Sequence, residues 1–220
     1  MIILRLRNVK GALEIVNNSN YVIHNYKDYK GKYNKLFNNN DIEIEIGCGK
    51  GNFIINKAKQ NPNINYIGIE KYDSVLVRAL EKIDEEIPNL KFIRMDAKEI
   101  DEVFNKEISK IYLNFSDPWP KDRHEKRRLS SDIFLKKYDS IFKSEKNIIM
   151  KTDNRKLFEY SIKSLTNYGY KIEDISLDLH NDDIPNIETE YETKFSSLGQ
   201  VIYMVNVKKW LYFKKYYCFS

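Results

Sequence analysis

The sequence predicts an α/β fold, a mostly parallel seven-stranded sheet with helices on both faces. Three observations carry that prediction. Short runs rich in Ile and Val alternate with stretches whose apolar residues recur at helical spacing. The first run stops at three glycines on alternate positions, Gly47, Gly49 and Gly51, the kind of turn that leads a strand into a helix. The chain of 220 residues, 42% hydrophobic, is long enough to bury about 70% of its unfolded surface in one core, and it has neither an internal repeat nor a Pro/Gly/Ser linker.

Residues 1–40 read as an N-terminal extension of loops and short helix packed on the domain. Residues 41–210 read as the α/β domain and 211–220 as a tail. Ile42 to Ile46 is the first strand, and Asn52 to about Gln60 the helix after the glycines. Tyr66 to Glu70 is the second strand, and Asp73 is placed to cap a helix carrying Val75, Leu76, Ala79, Leu80 and Ile83. Lys91–Met95, Lys110–Phe115 and Asn147–Lys151 supply three more strands. A helix with Ile133, Phe134, Tyr138 and Ile141 lies between the last two. Arg155–Tyr168 is a helix closed by Gly169. Strands near Asp174–Leu179 and Val201–Lys208 finish the domain.

Two cysteines, Cys48 and Cys218, build no disulfide framework, and no Cys or His spacing offers a metal site. No apolar run is long enough to span a membrane. The start, MIILRLRNVKGAL, is too basic and too short for a signal sequence. A cytoplasmic protein is expected. The net charge of +5, from 37 basic and 32 acidic side chains, admits a nucleic-acid partner without requiring one.

In open parallel sheets ligands bind outside the carboxyl ends of the strands. The first strand ends in EIGCGKG, Glu45 to Gly51. The second ends in Glu70, placed to accept hydrogen bonds from ribose hydroxyls, and the third in Asp96, placed to reach an adenine. Together they point to an adenosine-containing cofactor. Glu45, just before the glycines, repels a diphosphate but suits a cationic ligand with an ammonium group, which fits S-adenosylmethionine. Cys48 is read as a small spacer.

The densest signal follows the fourth strand, NFSDPWPKDRHEKRRLS. Asp117 stands on a turn whose Pro118 and Pro120 flank Trp119. Lys121, Arg123, Lys126, Arg127 and Arg128 then outweigh Asp122 and Glu125. Such a segment beside a cofactor's reactive end can hold a polyanion by its phosphates. His124 is read as a surface or packing residue, and Trp119 either as a stacking platform or as an anchor under the loop. At the fifth strand end, Asp153 either caps the next helix or points into the site. Glu188 to Gln200 is read as turn-rich chain between the last two strands, its Tyr191, Thr193 and Phe195 unexplained.

EIGCGKG, IGIEKY, DPWPKDRHEKRR, KTDN and TKFSSLG occur in the order found in the tRNA (guanine-N7-)-methyltransferases, which residues 40–207 resemble. The resemblance implies a Rossmann-like class I methyltransferase with an antiparallel C-terminal strand. It implies methyl transfer from S-adenosylmethionine to guanine N7 in tRNA, at position 46 of the variable loop. Glu45, Gly47, Gly49, Glu70, Asp96 and Asp117 would bind the cofactor, with Asp117 also the active-site acid. Lys121, Asp153, Thr193, Lys194, Phe195 and Ser196 would contact the substrate nucleoside, while Arg123, Lys126, Arg127 and Arg128 would contact RNA. No membrane or obligate protein partner is implied, and either a monomer or a homodimer is compatible. Two departures stand out. Ser116 replaces a frequent Pro, and Ser196 a frequent Glu, for which Glu190 or Glu192 are the candidate substitutes.

Guanine N7 has an in-plane lone pair and no proton, so attack needs no general base, in keeping with the lack of a His or Cys constellation. Asp117 can stabilise the cationic product ring or accept hydrogen bonds from the guanine edge. The competing readings are an exocyclic-amine methyltransferase acting on adenine or cytosine, a nicotinamide oxidoreductase, and a non-catalytic RNA-binding module. Glu45 and the glycine spacing speak against the second, and the acids at three strand ends against the third.

Overall fold

A computed structural model describes residues 9–210; the expected tail 211–220 and the first eight residues of the expected N-terminal extension lie outside them. Seven strands form one sheet in the order β3-β2-β1-β4-β5-β7-β6. They are β1 (Ile42–Ile46), β2 (Asn65–Glu70), β3 (Leu90–Arg94), β4 (Ile108–Asn114), β5 (Phe142–Thr152), β6 (Lys171–Ser176) and β7 (Tyr203–Lys209). Strands β1 to β5 pair in parallel, and β7 is antiparallel to both neighbours. The helices are α1 (Ala12–Asn18), α2 (Asn52–Gln60), α3 (Asp73–Leu80), α4 (Ile100–Val103), α5 (Asp132–Ile141), α6 (Arg155–Asn167) and α7 (Glu190–Ser196).

The register explains the core. Ile67, Ile44, Ile111, Ile148 and Val207 are paired neighbours across five strands, and all five are buried in one cluster with Phe134, Leu135 and Tyr138 of α5 and Leu157, Phe158 and Leu165 of α6. Side chains one residue along point to the opposite face. There Tyr66, Phe92 and Tyr112 pack against Phe53, Ile54, Ile55 and Ala58 of α2 and Leu76 and Ala79 of α3. Strand β1, IEIEI, therefore sends its isoleucines to one covered face and Glu43 and Glu45 to the other, so all five residues are buried.

The chain before β1 protects the sheet's open edge. Phe92 N–H donates to the Tyr21 carbonyl (2.7 Å) and Ile23 N–H to the Phe92 carbonyl (2.9 Å), so the edge of β3 is covered at Phe92. Tyr33 is fully buried, its ring 4.7 Å from that of Phe104.

Several boundaries differ from expectation. Strand β5 starts at Phe142, not Asn147, because Phe142 pairs with Ile108 across a register shift. Strand β6 lies earlier, at Lys171–Ser176; as an edge strand it is exposed at its first five residues, so no apolar alternation marks it. Asp73 does not cap α3: Tyr72 holds that position without a side-chain bond, and Asp73 is the first helical residue. Ile133 is 45% exposed, leaving Phe134, Leu135, Tyr138 and Ile141 as the inner face of α5. Residues 190–196 form helix α7, not a turn. Thr189 Oγ1 accepts from Glu192 N–H while the Glu192 carboxylate accepts from Thr189 N–H, a reciprocal capping box.

Candidate active site

The order of the strands reverses between β1 and β4, and the residues of interest gather at the carboxyl ends there. Gly47, Gly49 and Gly51 all have left-handed backbone, with φ of 77°, 57° and 73°. A Cβ on Gly51 would lie 2.7 Å from Ala79 Cβ, which fixes that glycine for packing; Cβ atoms on Gly47 and Gly49 would meet nothing within 4 Å. The first two glycines thus border open space. Gly47 and Cys48 N–H both donate to the Ile69 carbonyl (2.8 and 3.0 Å), which ties the turn to β2. Cys48 is buried, and burial pushes its thiol well above the ordinary value, so it is a filler and not a nucleophile.

Three acids surround this turn. Glu45 is 2% exposed; one oxygen accepts from Asn114 Nδ2 (2.8 Å) and the other, Oε2, has no partner. Burial raises its carboxyl to about 8, against the opposing effects of Asn114 and Lys151. Glu70 accepts backbone N–H bonds from Gly49 (3.1 Å), Lys71 (2.7 Å) and Tyr72 (3.0 Å). Burial raises it too, against those three bonds. Its Oε2 carries one of them and keeps acceptor capacity for a hydroxyl. Asp96 caps the short 3-10 turn Ala97–Glu99 through Lys98 N–H (3.1 Å) and pairs with Lys71 (2.8 Å). Burial pushes it up, but these two contacts leave it below the usual value.

The ends of β4 and β5 are joined by Phe115 N–H donating to the Lys151 carbonyl (2.8 Å). Beyond that bond opens a cleft of about 150 Å³ lined by Phe115, Ser116, Asp117, Pro118, Thr152, Asp153, Asn154 and Tyr191. Asp117 is exposed on it, with no hydrogen bond or ion pair among the described residues. Asp153 is not a helix cap: Asn154 caps α6 by accepting from Leu157 N–H (2.9 Å), and Asp153 accepts from Tyr191 Oη (2.9 Å). The sequence left Tyr191 unexplained. Its ring sits 5.0 Å from Phe115 and 4.2 Å from Phe195, so α7 forms the cleft's outer wall.

Helix α7 is held from below by a buried ion pair the sequence did not announce. Lys151 Nζ donates to Glu192 Oε2 (2.5 Å), Asn186 Oδ1 (2.9 Å) and the Ile187 carbonyl (2.9 Å), and both charged side chains are buried. The Thr189-x-x-Glu192 capping pattern was the available signal. Neither acid proposed to stand in for the missing glutamate at 196 is at liberty to do so. Glu192 is fully buried against Lys151, and Glu190 pairs with Lys50 and Lys82 (3.0 Å each). Thr193 Oγ1 bonds Glu188 (2.5 Å), Ser196 Oγ bonds the Thr193 carbonyl (3.3 Å), and Lys194 is exposed with its Nζ 5.6 Å from the Phe195 ring centroid.

The basic segment folds as a 3-10 turn over Asp122–Arg127. Lys121, Arg123, Lys126 and Arg127 are exposed. The Arg127 guanidinium lies 4.9 Å from the Trp119 ring centroid, and His124 meets the same ring edge-on at 5.8 Å. Desolvation and the neighbouring Arg127, Arg123 and Lys121 lower the His124 imidazole, which favours its neutral form. Trp119 is thus packed within its own loop. Arg128 differs from the other cations: it is half-buried and donates to the Pro118 and Trp119 carbonyls (3.1 Å each). Among the described residues no cluster of His, Cys, Asp and Glu is placed to hold a metal ion, and no helix is long and apolar enough to cross a membrane.

Glu45 with its unpaired buried oxygen, the two open glycines and the acceptor on Glu70 fit a cationic ligand that carries a ribose. They do not fit a diphosphate. The comparisons with known proteins agree. Residues 39–205 match the family model described as "Putative methyltransferase". The tRNA (guanine-N(7)-)-methyltransferase of Lachnoclostridium phytofermentans is 52% identical over 205 residues, 91% of this chain and 96% of that protein. The Bacillus subtilis protein of the same name is 53% identical over 198 residues, 88% and 93%. Among solved structures, one titled an antibiotic related methyltransferase superposes with a TM-score of 0.61 at 21% identity, covering 84% of this chain and 94% of the other, and shows the fold. With its match to a methyltransferase family model and half its residues shared with such relatives along nearly its whole length, the chain belongs to the tRNA (guanine-N7-)-methyltransferase family.

Proposed function

We propose that the protein transfers a methyl group from S-adenosylmethionine to N7 of a guanine in tRNA, at position 46 of the variable loop. The observation that carries this is the adjacency of two sites. The buried acids Glu45 and Glu70 at the ends of β1 and β2 stand beside a cleft at the ends of β4 and β5 that holds Asp117 and Asp153, the Asp117 charge acting on Glu70, and an exposed basic segment follows Asp117 in the chain.

S-adenosylmethionine supplies a methyl group made electrophilic by its sulfonium. Glu45 binds the donor's ammonium group, Glu70 its ribose hydroxyls and Asp96 its adenine side, with Gly47 and Gly49 allowing close approach of the backbone. Asp117 completes the donor pocket where it meets the cleft. Guanine enters between Asp117 and Asp153, its hydrogen-bonding edge read by carboxylates while N7, already a lone pair, needs no base. Alignment of nucleophile and methyl carries most of the rate, an effect worth up to about 7–11 kcal/mol, and the Asp117 carboxylate favours the positive charge that develops on the ring. Lys121 and the α7 residues Thr193, Lys194, Phe195 and Ser196 flank the nucleoside. Arg123, Lys126 and Arg127 hold phosphates. Such a reaction takes place in the cytoplasm, and the chain carries it without a partner protein.

The test is methyl transfer by the purified chain to an unmodified tRNA transcript with labelled donor, followed by nucleoside analysis. 7-Methylguanosine that disappears when G46 is replaced by A is expected. N6-Methyladenosine would overturn the reading in favour of an exocyclic-amine methyltransferase.

A further inference from the structure

The segment after β4 contains five cations, and they do not all face outward. Arg128 donates from Nε to the Pro118 carbonyl and from Nη2 to the Trp119 carbonyl, both at 3.1 Å, and its guanidinium lies 4.2 Å from the Tyr160 ring centroid. Tyr160 belongs to α6, the helix that begins directly after Asp153 and Asn154. One side chain thus joins the turn carrying Asp117 to the element that follows Asp153.

The turn needs such a tie. Phe115 and Trp119 have φ of 50° and 42°, a left-handed conformation unfavourable for bulky side chains. Positions of this kind persist where the surroundings impose them. Asp117 lies between the two, exposed and without a hydrogen bond of its own among the described residues. Ser116 places no proline ring before it, so the chain on that side keeps a free φ.

From this geometry we infer that Arg128 is a positioning residue for Asp117 and not an RNA contact: its planar fork clamps two consecutive carbonyls of the Asp-Pro-Trp turn while its face rests on Tyr160. The inference rests on the proposed role of Asp117. It separates Arg128 from Arg123, Lys126 and Arg127, whose charges face solvent. Lysine can replace arginine as a phosphate contact, but it has no fork for two carbonyls and no plane to stack.

The deciding variants are therefore Arg128→Lys and Arg128→Gln, compared with Lys126→Gln. Methyl transfer is measured at saturating tRNA and as a function of salt, and the affinity for S-adenosylhomocysteine by calorimetry. Both Arg128 variants are expected to lose about 30- to 100-fold in kcat, the scale of a small misplacement of a reacting group. They should keep product affinity within about twofold, and leave the slope of log affinity for tRNA against log salt unchanged. Lys126→Gln should flatten that slope by about 1. An Arg128→Lys enzyme with wild-type kcat, or an Arg128→Gln enzyme with a slope lower by about 1, would overturn the inference.

A readout independent of substrate guards against other failures. The chain has two tryptophans, so in a Trp210→Phe background Trp119 alone reports on the turn. Its emission should change in Arg128→Lys and in Tyr160→Leu, the latter leaving Arg128 itself in place. Unchanged emission in both would overturn the inference whatever nucleoside the enzyme makes. A wild-type product other than 7-methylguanosine would instead count against the proposed function.

Discussion

Glu45 is a carboxyl group taken out of water with one oxygen unpaired, and that state has consequences away from catalysis. Its folded value, about 8 against 4.5 for an unhindered glutamate, means that folding favours the protonated form. The stability this supplies is full below the unfolded value and is lost as pH rises through about 8. Glu45→Gln, which keeps the shape and cannot ionise, should melt higher than the wild type at pH 9, by at least about 3 °C, with the difference vanishing near pH 4. A cationic donor favours the ionised form, so binding below pH 8 should release a proton, seen as a calorimetric heat that varies with the buffer's ionisation enthalpy. A heat independent of buffer would show that Glu45 does not face the donor. Asp96 behaves in the opposite sense, its value lowered by Lys71 and Lys98, and contributes stability that is lost only as pH falls through that lowered value.

Helix α7 is tied to β5 by the buried pair Lys151–Glu192. Breaking one partner of a buried pair costs about 3–5 kcal/mol, whereas replacing both by apolar residues is often neutral. Lys151→Met alone should therefore destabilise the fold by that amount, and Lys151→Met with Glu192→Leu should recover most of it in a urea titration. A double variant no more stable than the single one would mean that the pair does not hold the helix. Sequence periodicity could not reveal this pair, because its members lie 41 residues apart and each looks like an ordinary charged residue. The same holds for Asn114 and Glu45, 69 apart. What periodicity did reveal were the elements with a covered apolar face: β1, β2, β4, α2 and α6 lie within two residues of their expected bounds. Strand β6 was displaced because an exposed edge strand needs no alternation, and α7 was missed although Thr189 and Glu192 spelled its cap. Of the site, the acids at the strand ends were legible as single residues. The wall formed by Tyr191, and the inward turn of Arg128, arise only from packing.

At the scale of the molecule, the sheet sets two sites of opposite character side by side. The proposed donor site is acidic, with Glu45, Glu70 and Asp96, while the segment after Asp117 is basic and exposed. That division makes affinity and rate separable. Replacing Arg123, Lys126 and Arg127 by Gln together should weaken tRNA binding and lower the salt slope by about 3, one for each lost phosphate contact, with donor affinity unchanged. A slope unmoved by the triple substitution would return the segment to a solvated surface. The most direct measurement of the central claim, that Asp117 acts at the junction of the two sites, is single-turnover methyl transfer with donor and tRNA both saturating, in the wild type and in Asp117→Ala. The wild type should form 7-methylguanosine, and the variant should do so at least about 100-fold more slowly while binding S-adenosylhomocysteine within a few fold of the wild type. A variant that methylates guanine at the wild-type rate would contradict it.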